Sequence, residues 1–187
     1  AIHFHGVQAV NQGRDGPQAL LQTVPPGETY TYEFIAAHPG THVYHGYAAA
    51  PHPLDARMYG ALIIEPQDEV RYWDVEATWV LDELPARGAV TINGKAYPSS
   101  QTLRLEPGQR VRLRLIHMGD VSHSLHFDGM SLLVTHVDGY PLPDPVRRAT
   151  LTIHPGERYD VLFVAEEGTF PVLDHRPLED SPPCGRN

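Results

Sequence analysis

Proline and glycine interrupt this chain at short intervals, and that punctuation limits the folds open to it more than any other feature. The 187 residues include 18 prolines and 16 glycines, and the stretches between them are rich in Val, Ile, Thr, Tyr and Phe. Short strands joined by tight turns are typical of a β-sandwich. Helical periodicity is hard to find, so the sequence predicts an all-β protein.

Two stretches of the first half have strand patterns. Residues 28–36 place Tyr30, Tyr32 and Phe34 on one side and polar residues on the other, as a half-buried strand requires. Residues 58–65 form an apolar run that suits a strand covered on both faces. Met58, at the start of this run, is interpreted as a core residue.

The second half contains a comparable series of strand patterns. The predicted strands are 103–105, 110–117, 124–127, 132–137, 149–153 and 159–164. A Pro-Gly-Glu phrase precedes an aromatic-led stretch in each half, at Pro26 and at Pro155. This similarity suggests two copies of one fold.

The predicted organisation is two domains and a tail. Residues 71–84 are interpreted as another strand pair or an extended connection, and residues 84–88 as a linker. The domains then comprise residues 1–86 and 87–176. Residues 177–187, rich in Pro, Glu, Asp and Ser, form a tail or a linker to a further domain.

Composition excludes several classes of partner. The formal charge is 14 − 23 = −9 with scattered Lys and Arg, so no nucleic-acid partner is expected. No apolar run has membrane-spanning length. The single cysteine, Cys184, cannot form an internal disulfide. The 12 histidines are the positive indication, because histidine is the commonest metal ligand.

The sharpest local motif is the His3-Phe4-His5-Gly6 start of the chain. On a strand, residues two apart project to the same face, so both imidazoles can bind one metal ion or two neighbouring ions. A pair of surface histidines without a ligand is the alternative for an isolated motif of this kind.

Further phrases follow this motif in a characteristic order: Asp15-Gly16-Pro17, Pro26 to Phe34, Gly40-Thr41-His42-Val43-Tyr44-His45, and Met58 to Pro66. Over residues 2–66 this order resembles the first cupredoxin domain of the laccase-like multicopper oxidases. The resemblance implies a Greek-key β-sandwich. Such a domain normally has one or two strands before its H-x-H-G motif, so N-terminal strands and residues before Ala1 are expected to be missing.

The resemblance also implies a ligand set. By position, His3 would be a ligand of type-2 copper, and His5 and His45 would be ligands of type-3 copper. Tyr47 stands where the family has a further histidine, and tyrosine is a poor ligand for cupric ions unless it is ionised. Either this site is degenerate or His52 replaces the missing ligand. His42 is a weaker replacement, because it faces the other way on a strand.

Residues 90–175 resemble a second cupredoxin domain of the same family. Its histidine run is reduced to His123 and His126, and its H-C-H run becomes Leu173-Asp174-His175. Without that cysteine the domain cannot hold type-1 copper. It is either the copper-free middle domain of a three-domain oxidase, with the third domain beyond Asn187, or a last domain that has lost its metals.

The remaining histidines of the second half have simpler interpretations. His123 and His126 could still bind a metal, with solvent-exposed or buried structural histidines as the alternative. His117, His136 and His154 are interpreted as ordinary strand residues.

The function implied by the resemblance is a copper-dependent, periplasmic or secreted oxidoreductase. It would couple one-electron oxidation of a phenol or metal ion to reduction of dioxygen to water. Part of its trinuclear copper site would come from this chain and the rest from a further domain or subunit. The alternatives are a non-catalytic copper-binding or assembly module and, less well supported, a relative of the two-domain copper nitrite reductases.

Overall fold

The computed structural model describes residues 2–7, 24–46, 57–68, 70–84, 89–100 and 102–175. These residues form strands, turns and extended segments, which confirms the all-β prediction. No helix within these ranges is long and apolar enough to cross a membrane. The strands are β1 (Ile2–His5), β2 (Gly40–Gly46), β3 (Tyr59–Ile64), β4 (Val75–Leu84), β5 (Ala89–Ile92), β6 (Lys95–Ala96), β7 (Arg110–His117), β8 (His123–Phe127), β9 (Leu132–Val137), β10 (Tyr140–Arg148), β11 (Thr150–Ile153), β12 (Arg158–Val164) and β13 (Val172–Asp174).

Several predicted features fall outside the described residues. They are the Asp15-Gly16-Pro17 turn, Tyr47, His52, most of the 84–88 linker, the 177–187 tail and Cys184.

The described strands form three sheets. A three-stranded sheet has the order β1-β2-β3, and a seven-stranded sheet has the order β10-β9-β12-β7-β4-β5-β6. The third sheet has the order β11-β8-β13. Apolar side chains of the second and third sheets form the larger core: Trp79, Leu81, Leu113, Leu115, Leu125, Phe127, Leu132, Val134, Leu151, Ile153 and Val161.

The predicted strand at residues 28–36 is wrong as a strand. Tyr30, Tyr32 and Phe34 are half-buried and their neighbours exposed, as the alternation indicated, but only Phe34 forms a bridge. The ring centroid of Phe4 lies 5.4 Å from that of Tyr32 and 5.6 Å from that of Phe34. Aromatic packing on β1, rather than ladder hydrogen bonding, therefore accounts for the pattern.

The apolar run at residues 58–65 is confirmed as strand β3. Its first residue is the exception. Met58 precedes β3 and keeps 59% of its surface exposed, so the interpretation of Met58 as a core residue was wrong.

The predicted strands of the second half are confirmed by β7, β8, β9, β11 and β12. Residues 103–105 form no strand, and β10 and β13 were not predicted. In β10, Pro141, Pro143 and Pro145 concealed the strand, because proline lacks the N–H that a ladder uses. The strand tolerates them at the edge of the seven-stranded sheet.

Strand β4 bears on the domain organisation. It pairs in parallel with β7, with Leu81 opposite His117, and antiparallel with β5. The boundary at residue 86 stays a prediction. This pairing favours assigning β4 to the second unit, and so a boundary before Val75.

The repeated Pro-Gly turns have one shared geometry. Gly27, Gly108 and Gly156 have φ values of +85°, +89° and +82°. In each turn the residue after the glycine donates its N–H to the carbonyl three positions earlier, over 3.0–3.1 Å. Proline followed by a glycine at positive φ is the pattern of a type II turn.

Strand β2 contacts the seven-stranded sheet through a buried polar network. The Thr41 hydroxyl donates to Asp160 over 2.5 Å, and Arg114 donates to Thr41 over 2.7 Å. Arg112 and Arg114 bind the other oxygen of Asp160 at 2.7 and 3.0 Å. The sequence of β7 alternates as expected for a half-buried strand. Because this network covers its polar face, β7 is buried on both faces from its second residue onward.

Candidate metal centre

Strands β1 and β2 carry three histidines that meet on one face of the first sheet. His3 and His5 are two residues apart on β1, so their side chains share a face. The antiparallel register places His3 directly opposite His45 of β2. Residues 42 positions apart in sequence thus become neighbours.

The three rings are close enough to share a ligand. One nitrogen from each of His3, His5 and His45 can be chosen so that all three lie within 4.8 Å of one another. Ring centroids are 4.6 Å apart for His3 and His5, 5.4 Å for His3 and His45, and 4.9 Å for His5 and His45. All three residues are half-buried.

The hydrogen bonds of His45 define its tautomer. Its Nδ1 lies 2.6 Å from the Gly46 carbonyl oxygen, which can only accept, so Nδ1 carries the proton. In the neutral ring, Nε2 then has a lone pair and lies 2.9 Å from Nε2 of His5. A backbone carbonyl on the far nitrogen is the usual device for aiming a metal-binding imidazole.

The surroundings keep His5 neutral. Burial, together with the neighbouring imidazoles of His3 and His45, lowers the pKa of His5 from 6.5 to about 4. A neutral imidazole is the form that binds a metal ion. His5 is therefore in its metal-binding form at neutral pH.

His42 points away from these three rings. It is fully buried, and its Nε2–H donates to the His38 carbonyl oxygen over 2.7 Å. Burial lowers its pKa. Gly6 and Gly139 both lie against the ring. His42 accordingly fills the contact between β2 and the β9–β10 turn.

The structure separates His123 from His126. His123 begins β8 and is fully buried, whereas His126 is half-buried on the other face of that strand. His126 binds the Thr150 hydroxyl over 2.8 Å, and its ring lies 5.5 Å from that of His175. The two histidines therefore cannot serve one small site.

His123 belongs instead to a second group, which the sequence did not indicate. Single ligand atoms of Glu83, His117 and His123 lie within 4.8 Å of one another. Glu83 was not singled out, and His117 was interpreted as an ordinary strand residue. His117 is the last residue of β7, and the local sequence of that strand does not predict a metal ligand. Glu83 and His117 come together because β4 pairs in parallel with β7, which is a long-range feature.

The comparisons with known proteins identify the family of this chain. Residues 1–69 and 67–179 match two family profiles, both described as multicopper oxidase. The chain belongs to the multicopper oxidase family. The cupredoxin-type fold predicted from the sequence is thereby confirmed.

Individual relatives are distant in sequence. The multicopper oxidase MmcO of Mycobacterium tuberculosis is 26% identical over an alignment 223 positions long, which covers 92% of this chain and 43% of that protein. Laccase-3 of Arabidopsis thaliana is 31% identical over 201 residues, with 89% and 35% covered. This chain therefore spans less than half of either relative.

Solved structures show the same relationship. The blue copper oxidase of Nitrosomonas europaea superposes with a TM-score of 0.77 at 31% identity, covering 93% of this chain and 62% of that one. Another multicopper oxidase gives a TM-score of 0.81 at 27% identity, covering 94% and 64%.

The first cluster fits the copper that this family implies. It offers three imidazole nitrogens, which suit copper ions. His45 presents a lone pair at Nε2, and the depressed pKa of His5 leaves that ring unprotonated. The donor type and the spacing of the three nitrogens suit a cupric ion.

Proposed function

We propose that this chain forms part of a copper-dependent oxidoreductase that couples one-electron oxidation of a substrate to reduction of dioxygen to water. The observation that carries this proposal is the convergence of His3, His5 and His45 in a member of the multicopper oxidase family. Bound copper would supply the one-electron redox chemistry and the reaction with dioxygen.

The chain's own contribution is to hold and orient the ligands. The strand alternation sets His3 beside His5, and the β1–β2 register sets His45 against both. The Gly46 carbonyl fixes the His45 ring with Nε2 towards the cluster. By family position, His3 would serve the type-2 copper, and His5 and His45 the type-3 pair.

The remaining assignments depend on the whole protein. We propose that a further cupredoxin domain or subunit supplies the other ligands and the type-1 copper. Dioxygen and a small reducing substrate, a phenol or a metal ion, would be the reactants. A periplasmic or secreted location fits this chemistry. His52 remains the candidate replacement for the ligand that Tyr47 does not provide.

Copper content and oxygen consumption test the proposal together. The whole copper-loaded protein, with the further domain or subunit that completes the site, should consume dioxygen with a phenolic dye as reductant. The His45→Ala variant should lose both bound copper and oxygen consumption. His154, which is exposed and bonded to Ser122, provides the control, because His154→Gln should keep both.

Two results would count against this function. Equal copper content in the parent and His45→Ala proteins would remove the proposed site. Copper bound through His45 without oxygen consumption would favour the non-catalytic copper-binding module instead.

A further inference from the structure

We infer that Glu83, His117 and His123 form a second metal site, which binds a divalent transition-metal ion of the zinc type. This site lies in the seven-stranded sheet and its neighbour β8, apart from the three histidines of β1 and β2. The inference does not depend on the proposed oxidase function.

The fold brings the three side chains together from separate strands. Glu83 lies near the end of β4, His117 ends the parallel strand β7, and His123 begins β8. The pairing of Leu81 with His117 aligns the first two elements. Both histidines are fully buried, and the Glu83 side chain is only 11% exposed.

The donors suit such an ion in type. The His123 Nε2 lies 2.6 Å from Oε1 of Glu83, and the His117 Nε2 lies 3.9 Å from the same oxygen. Two imidazoles and one carboxylate are an established donor set for Zn²⁺, with a fourth position left for water. Donors bound to one tetrahedral Zn²⁺ lie about 3.4 Å apart, so binding would move His123 and Glu83 apart and bring His117 closer.

Asp174 orients His123 from the opposite side. Its Oδ2 lies 2.9 Å from Nδ1 of His123. A carboxylate on the far nitrogen of a metal-binding imidazole fixes the ring and increases its basicity. Here it directs Nε2 towards Glu83.

The charges of this group also call for a cation. Carboxylates face both ring nitrogens of His123, from Glu83 and from Asp174. Ionised carboxylates only accept hydrogen bonds. The two carboxylates, 11% and 17% exposed, together carry two negative charges, and charge in such surroundings is costly unless compensated. A proton on His123 would compensate one of them, whereas a divalent ion on its Nε2 would compensate both.

The backbone prepares Glu83 for this role. Its Oε2 accepts the N–H of Asp120 over 2.9 Å, which leaves Oε1 facing the histidines. Gly119 makes room for the carboxylate, because a Cβ there would overlap Glu83. Burial would raise the pKa of Glu83, but the bonds from Asp120 and His123 lower it overall. The carboxylate is ionised and fixed.

His117 would change tautomer on binding the ion. Its Nε2–H donates to the Val121 carbonyl oxygen over 2.7 Å, and its Nδ1 accepts the N–H of Gly119 over 3.3 Å. Nδ1 also lies 3.5 Å from the Leu81 carbonyl oxygen. Moving the proton to Nδ1 would free Nε2 for the ion, with the Leu81 carbonyl accepting the N–H in place of the Gly119 contact.

Zinc titration of a protein without the first cluster tests this site. In a His3→Ala/His45→Ala background, isothermal titration with Zn²⁺ should show one site per chain. Adding Glu83→Gln should weaken it by more than about 100-fold, and adding Asp174→Asn by about 10–100-fold, as second-shell changes do. The control variant His126→Gln, which changes a histidine on the same strand as His123, should leave the Zn²⁺ affinity unchanged.

A spectroscopic measurement on the same background does not require a variant of the new site. Co²⁺ should give the intense visible d–d absorption of a four-coordinate site, and Zn²⁺ should displace it. Melting temperature should rise with Zn²⁺ concentration, because binding only to the folded state stabilises it. No zinc binding in the background protein would overturn the inference, as would equal affinities of Glu83→Gln and His126→Gln.

Discussion

The first sheet carries the proposed copper ligands, whereas the seven-stranded sheet and its neighbour carry most of the core. The first sheet presents three half-buried histidines and contributes few core side chains, Val43 and Ile64 among them. The seven-stranded sheet and its neighbour contribute most of the core, and also the buried Arg112, Arg114 and Asp160. The proposed copper ligands therefore lie on the sheet that contributes less to the core.

The difference shows how such a site can be kept available. Half-buried imidazoles on one face of the first sheet can reach an ion without opening a core, while stability comes from the other sheet. Thr41 links the two, because its hydroxyl joins β2 to Asp160 and Arg114. Changes to the histidines of the first sheet should mainly affect copper binding, and changes to the Asp160 network mainly stability.

The largest expected effect is a loss of stability caused by a change in the seven-stranded sheet. Asp160→Asn leaves Arg112 and Arg114 buried without their shared carboxylate. Removing one partner of a buried ion pair costs about 3–5 kcal/mol. Urea denaturation should show that loss, whereas Asp74→Asn, at an exposed pair with Arg110, should change the free energy of unfolding little. Similar losses from both variants would contradict this view of the network.

The His45→Ala variant should have the opposite effects, namely weaker copper binding and little loss of stability. It should weaken copper binding by more than about 100-fold, since loss of a ligand exceeds the usual second-shell effect. The free energy of unfolding without metal should change by about 1 kcal/mol or less, because the side chain is only half-buried. Copper titration and urea denaturation of one preparation measure both. Strong destabilisation with copper binding retained would show that His45 contributes to stability and not to copper binding.

Two glycines with the same backbone conformation test the contact between the sheets. Gly139 and Gly156 have φ values of +86° and +82°. A Cβ on Gly139 would lie 2.7 Å from the His42 ring, whereas one on Gly156 would meet nothing within 4 Å. Gly156→Ala should cost about 1–2 kcal/mol from backbone strain alone. Gly139→Ala should cost clearly more in thermal denaturation. Equal costs would mean that His42 does not fill this contact.

The smallest expected effect is the titration of His5 in the metal-free protein. Nuclear magnetic resonance should place its pKa at about 4, below the ordinary 6.5, because of burial and the two neighbouring imidazoles. The unfolded chain binds this proton below pH 6.5 and the folded chain only near pH 4. The contribution of His5 to stability therefore falls as the pH drops through that range. An ordinary pKa would mean that the rings are not clustered.

Local chemistry made part of the structure predictable. Pro26-Gly27 and Pro155-Gly156 specify their turns by themselves, because the proline fixes φ and the glycine permits a positive φ. The alternation of β1 placed His3 beside His5. The family resemblance added His45, whose position opposite His3 is set by register and not by local sequence.

The rest depended on contacts between distant residues. Glu83 meets His117 and His123 only because β4 pairs in parallel with β7, and a single sequence does not reveal such a pairing. The exposure of Met58 and the missing ladder at residues 28–36 likewise follow from what packs nearby. Hydrophobic pattern predicted burial at Tyr30, Tyr32 and Phe34, but not hydrogen bonding.

Histidine footprinting tests the central claim most directly. Diethylpyrocarbonate modification of the protein, read residue by residue by mass spectrometry, compares reactivity with and without added Cu²⁺. His3, His5 and His45 should lose reactivity together at one copper concentration, while exposed His154 is unchanged. Copper protection of other histidines, with these three still reactive, would contradict it.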